Sequence, residues 1–140
     1  MLRVVVIGPS QAQYKEADCA EAITPGHLVK LNASGGLIKN TLAGRAPVMV
    51  AVENDIFGKG IDDAWASGER GLYQHLQPGH EYMALVAAAA PAIAFDDLVT
   101  AVAGGTVAKT VTLADAIGRA RAAVDNSGGG TQVRLRIEVI

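Results

Sequence analysis

The side chains that could do chemistry are His27, His75, His80, the single Cys19, the adjacent acids Asp62-Asp63 and Asp96-Asp97, and two glycine-rich runs. The His75-x4-His80 spacing is broken by Pro78-Gly79, so the two rings cannot share a helical face as an i,i+4 zinc pair would. Cys19 lies beside Asp18 in an acidic segment, which disfavours the thiolate that a nucleophile needs. Adjacent acids in extended chain point to opposite faces, so neither Asp pair offers two carboxylates to one substrate. Gly58-Lys59-Gly60 lacks the spacing and the Ser/Thr of a phosphate-binding loop, and Gly128-Gly129-Gly130 precedes a strand pattern rather than a helix. The expectation is a protein that is not an enzyme, with no catalytic, metal or cofactor residues.

Composition narrows the class further. The 140 residues carry 12 Lys plus Arg against 14 Asp plus Glu, a net charge of −2, with no cationic block. Phosphate neutralisation needs clustered cations, so nucleic acid is not an expected partner. The longest apolar stretch, Met83 to Phe95, is interrupted by Pro91 and falls short of the roughly 18–20 residues that span a bilayer, so no membrane is expected either. A chain of this length should bury roughly 70% of its unfolded surface without a metal or disulfide.

The elements that must position any site are short. Sixteen Gly and five Pro leave little room for long helices, and 25 alanines with 4% aromatics suit thin packed layers. Thr24-Pro25-Gly26 turns into Leu28–Leu31, Ser34-Gly35-Gly36 turns again, and Leu37-Ile38 resumes, which is a hairpin. Leu98–Val102 and Thr106–Lys109 around Gly104-Gly105 make a second. Pro47–Glu53 is apolar on both faces and internal. Gln132–Val139 alternates, with Val133, Leu135, Ile137 and Val139 on one face. Asn54–Gly71, with Phe57 and Trp65, is a long excursion. Thr110–Asp125 fits helical spacing from Leu113 to Val124 and also alternates over Ile117–Val124; the strand is favoured because it could pair with the last strand. The fold class is mainly β, a compact β-barrel or β-sandwich of short antiparallel strands with at most one or two short helices.

Ala22-Ile23, Leu28-Val29, Ala33 and Gly35 recur as Ala92-Ile93, Leu98-Val99, Ala103 and Gly105, about 70 residues on. The organisation expected is an N-terminal strand or arm at 1–16 and a β-rich domain at 17–140. That domain could comprise two related halves, about 17–86 and 87–140, or two hairpins sharing turn grammar by chance.

From Ala17 onward the order of segments resembles the capsid decoration (cement) proteins of tailed bacteriophages. The residues that carry the likeness are Ile23–Leu31, Val48–Asn54, Leu76–Val86, Ile93–Gly105, Ile117–Asp125 and Val133–Val139. The resemblance implies a non-enzymatic virion protein, made in the host bacterial cytoplasm. It would bind the outer surface of the capsid and tie major capsid protein subunits together, as a homotrimer. The alternative is a phage tail or fibre component, or another β-barrel binding module. Candidate contact residues are Val4, Val5, Val6 and Ile7, whose apolar run would be an aggregation hazard if left uncovered, with Phe57 and Trp65 in the excursion.

Overall fold

The computed structural model describes residues 2–8 and 13–140; Met1 and residues 9–12 of the expected arm lie outside them. Eleven strands are described: β1 (Val5–Ile7), β2 (Lys15–Asp18), β3 (Val29–Leu31), β4 (Leu37–Lys39), β5 (Met49–Val52), β6 (Arg70–His75), β7 (Glu81–Val86), β8 (Leu98–Val102), β9 (Thr106–Lys109), β10 (Ala116–Ala120) and β11 (Val133–Val139). The helical content described is two single 3-10 turns, Asp55–Phe57 and Leu113–Asp115. No helix among the described residues is long and apolar enough to cross a membrane. The fold is mainly β and contains a closed five-stranded barrel.

That barrel runs β7-β11-β10-β8-β9 and closes where β9 returns to β7 in parallel, Val86 opposite Val107. The alternation read in the last segment places Leu135, Ile137 and Val139 in its core. The segment read both ways resolves into the 3-10 turn Leu113–Asp115 followed by β10, which pairs with β11 from Gly118 opposite Val139. Helical spacing at Leu113 therefore marked one turn, and the alternation after it marked the strand.

The other strands follow the same circuit. β2 pairs with β6 and β6 with β5, Leu28 bridges to Val50, β3 pairs with β4, and Cys19 meets Leu37 in parallel. Position by position this is β7 to β11, β11 to β10, β10 to β8, β8 to β9, and β9 back to β7. Backbone hydrogen bonds coincide as well. Gly26 N–H donates to Ala51 O and Asp96 N–H to Ala120 O, both at 2.8 Å. Asn40 N–H reaches Leu28 O as Thr110 N–H reaches Leu98 O. Ile23 exchanges two bonds with Trp65, and Ile93 exchanges two with Val124. We call these sets the first unit (β2–β6) and the second unit (β7–β11). By its pairing, β7 belongs with the strands that follow it rather than with residues 17–75.

Each unit has its own core. Ala17, Cys19, Ile23, Val29, Leu37, Ala51, Trp65 and Tyr73 fill the first. The larger cluster fills the second and continues between the units through Leu28, Val48, Val50, Val52 and Leu76. The seam is also hydrogen bonded: Leu28 N–H donates to Gly105 O, Gly104 N–H to Asn40 O and Gly44 N–H to Ala101 O.

Candidate functional site

The N-terminal segment is a strand of the second unit's sheet rather than an arm. Val5 and Ile7 pair with Tyr82 and Glu81, and Met83 N–H donates to Val4 O. Val4 is fully buried and its N–H donates to the Glu53 carboxylate, so it is a core residue and not a contact residue. Val5 is half-buried, whereas Val6 and Ile7 reach solvent. Arg3 ties this end to the excursion through Glu53 at 3.5 Å and Asp55 at 3.3 Å. That places Leu2 at the same end as the turn Asp55–Phe57, where Ile56 and Phe57 are 87% and 73% exposed.

Trp65 corrects the reading of the excursion. Its backbone pairs with Ile23 and its ring is 1% exposed, inside the first unit. A Cβ on Gly71 would lie 2.9 Å from both Trp65 Cζ3 and Cys19 Sγ, so glycine is what admits the indole. Trp65 is a core anchor, and of the two aromatic candidates only Phe57 is presented outward.

The residues with chemical potential serve turns and ion pairs. In the turn before β3, His27 Nδ1 accepts from Thr24 N–H at 3.0 Å, which leaves Nε2–H to donate to Gln132 Oε1. Before β8, Asp97 accepts from Ala94 N–H at 2.8 Å in the same way. His80 accepts from Gln77 N–H before β7, and Asp63 from Gly60 N–H. The adjacent acids have separate duties: Asp62 pairs with Arg134 and Asp96 with Arg119 and Arg121. Burial lowers His27 from its ordinary value, and the Lys109 contact lowers Asp97. Burial, reinforced by Glu69 and Asp18, pushes the Cys19 thiol up to about 11, where it is protonated and unreactive near neutral pH. Among the described residues no group of three His, Cys, Asp or Glu side chains could hold a metal ion.

What the surface does offer is two further features, neither of which the sequence reading identified. Phe95, Val111 and Leu113 expose 63%, 89% and 61% of their surface on segments flanking β8, β9 and β10 of the second unit. A groove of about 370 Å³ on the first unit is lined by β2 (Glu16 to Asp18), the turn Asn32–Gly36 and Arg70, with Leu31 exposed at the start of that turn. The groove joins segments distant in sequence, so local patterning carries no trace of it. The exposed side chains could have been found from the 70-residue offset, which sets Phe95 opposite Pro25 and Val111 opposite Thr41.

No family model and no curated protein matches this chain. Among solved structures it is similar to the head fibre gp8.5 N base of bacteriophage phi29, with a TM-score of 0.63. Sequence identity is 8%, and the match covers 93% of this chain and 95% of that one. The two proteins share a fold along nearly their whole lengths.

Proposed function

We propose that the chain is a non-catalytic structural protein of a bacteriophage virion. In this reading it sits on the outer surface of the head, holds to the major capsid protein and associates with itself as a trimer. The observation that carries the proposal is the full-length fold likeness to the base of a phage head fibre. The exposed tip formed by Ile56 and Phe57, at the end that the Arg3–Asp55 ion pair ties to the N-terminal strand, is the surface we assign to the shell. Aromatic and aliphatic side chains presented outward on a rigid scaffold are the usual anchors of such contacts. A protein that binds the assembled shell and not its dissociated subunits stabilises the shell by its binding free energy at every occupied site.

The likeness also favours a second reading, in which the chain is the base of a head fibre and need not reinforce the shell. One experiment separates the two. Purified protein is mixed with heads and tails of its phage, sedimented, and the loaded heads are heated. Binding to heads with a raised dissociation temperature supports the cementing role; binding to heads without that rise supports the fibre base. Binding to neither particle, or to tails alone, overturns the head-surface proposal.

A further inference from the structure

The two units fit each other through one surface on each, and each unit also carries the counterpart of the surface its neighbour uses. Gly26, at the tip of the turn before β3, lies on β7: a Cβ there would be 2.9 Å from Met83 O and 2.6 Å from Arg134 Nη1. Its φ of +101° and the absent side chain both require glycine. Next to it, Leu28 N–H donates to Gly105 O, and Gly44 bridges to Ala101. The receiving surface on the second unit is therefore β7, Arg134 and the Gly104-Gly105 turn.

The strand registers locate the same surface on the first unit. Arg134 pairs with Leu85 as Arg70 pairs with Asp18, so Arg70 stands where Arg134 does and β2 stands where β7 does. Gly35, at φ +81°, matches Gly105, at φ +76°. Leu31, paired with Leu37, matches Ala101, paired with Val107. β2, Gly35 and Arg70 line the groove of about 370 Å³, and Leu31 lies beside it, next in sequence to the lining residue Asn32. Nothing among the described residues covers it. Gly35 has no atom within 4 Å of where its Cβ would be, and Leu31 is 44% exposed where Ala101, whose carbonyl accepts from Gly44 N–H, is buried.

The inserting surface is duplicated likewise. Asp96, at φ +70°, matches Gly26, and Phe95, Val111 and Leu113 occupy the segments that correspond to 25, 41 and 43. In the first unit those segments lie near the seam with the second; in the second unit they face outward with three large apolar side chains exposed.

We infer that copies of this chain join head to tail, the Phe95–Asp97 turn and Leu113 of one copy meeting the groove of Glu16–Asp18, Gly35 and Arg70, with Leu31 at its edge, on the next. The contact uses between copies the surfaces that correspond to those already fitted within one, but Asp96 has the Cβ that Gly26 lacks, so its turn seats less deeply than the Gly26 turn does. Asp96 carries a carboxylate where Gly26 has only hydrogen; it arrives paired with Arg119 and Arg121, and at the matching place it meets Arg70 paired with Glu16 and Asp18. The surfaces are different and complementary, so the contact is heterologous; it propagates until rotation closes a ring. The inference rests on the self-association proposed above, and the trimer is one closed ring of such contacts.

The test uses two surface variants, Phe95→Asp, which spoils the inserting surface, and Leu31→Asp, which puts a charge at the edge of the groove. By sedimentation and native mass the wild type is expected as a closed oligomer and each variant alone as a monomer. An equimolar mixture of the variants should form a one-to-one pair and nothing larger, because one intact groove remains for one intact turn. Pair formation also shows that both variants are folded. The inference is overturned if the wild type is monomeric at its highest soluble concentration, if either variant keeps the wild-type oligomer, or if the mixture stays monomeric. Shell binding is read separately: an oligomer that ignores heads defeats the virion reading alone, and binding to heads by variants that keep the wild-type oligomer defeats the inference alone.

Discussion

The two units solve one packing problem with opposite residue choices. In the first, Trp65 pairs with Ile23 and Gly71 stands opposite Ala17; in the second, Val124 pairs with Ile93 and Leu135 opposite Ala84. A large side chain beside a vacant position has been exchanged for two of middle size, and the strand circuit is unchanged. Cores tolerate such exchanges when total volume and pattern are kept, so backbone pairing rather than any particular contact is what the units have in common. The turns before β3 and β8 show the same freedom. An imidazole nitrogen of His27 and a carboxylate oxygen of Asp97 accept equivalent backbone N–H groups.

The sharpest way to break this comparison is at Trp65. Trp65→Ala should cost about 3–5 kcal/mol of stability, as removal of a buried aromatic does. Trp65→Val combined with Gly71→Leu should recover part of that loss, because it installs the second unit's solution. Denaturant unfolding of the single and double variants decides; a double variant no more stable than the sum of its singles would show that the two positions do not exchange volume.

Much of this architecture was legible in the sequence. The hairpins around Ser34-Gly35-Gly36 and Gly104-Gly105 and the alternating last strand announce themselves through period-2 patterning and turn residues. The sequence offers Trp65 as a contact residue because its partner, Gly71, records only an absent side chain, and absence leaves no apolar signal. Val4–Ile7 fits a strand or an arm equally in the sequence, because an apolar run does not say whether the sheet it joins is its own. His27 and Asp97 share a function without sharing chemistry, so a comparison of residue types passes over them.

That last pair gives the second prediction. Burial holds the His27 imidazole below its ordinary value of 6.5, so as pH falls the unfolded chain takes up that proton first. The stability linked to the neutral ring is complete above about pH 6.5 and declines as acid is added, down to the folded-state value. Asp97 lies below its ordinary 3.8, so its contribution persists until the solution is more acid than about pH 4. Between pH 7 and 5 the melting temperature should therefore fall, with contributions from His27 and from His75, which burial and Lys15 also hold below the ordinary value. His27→Asn, which keeps an acceptor but cannot titrate, should flatten the profile while lowering stability by about 1 kcal/mol. An unchanged slope in that variant would remove His27 as the cause.

The smallest expected difference separates Arg70 from Arg134, which hold equivalent places. Arg134 donates to Ile61 O and pairs with Asp62, and its side chain is mostly covered by the first unit. Arg70 meets Glu16 and Asp18 in the open. In dilute monomer Arg134→Ala should cost about 1–3 kcal/mol, whereas Arg70→Ala should leave the unfolding midpoint unchanged. Equal losses would mean that the open groove is already part of the monomer's own packing.

Cys19 gives the chain a clock of its own. It is the single thiol in the sequence, lies wholly within the first unit's core, and is kept protonated there by burial and nearby acids. Cys19 is 3% exposed and borders the groove beside β2, so a thiol reagent in neutral solution reaches it when the groove or the unit opens, and the second unit has no sulfhydryl to confuse the signal. The rate of modification, followed against denaturant, would report how often one half of the molecule breathes while the other stays shut.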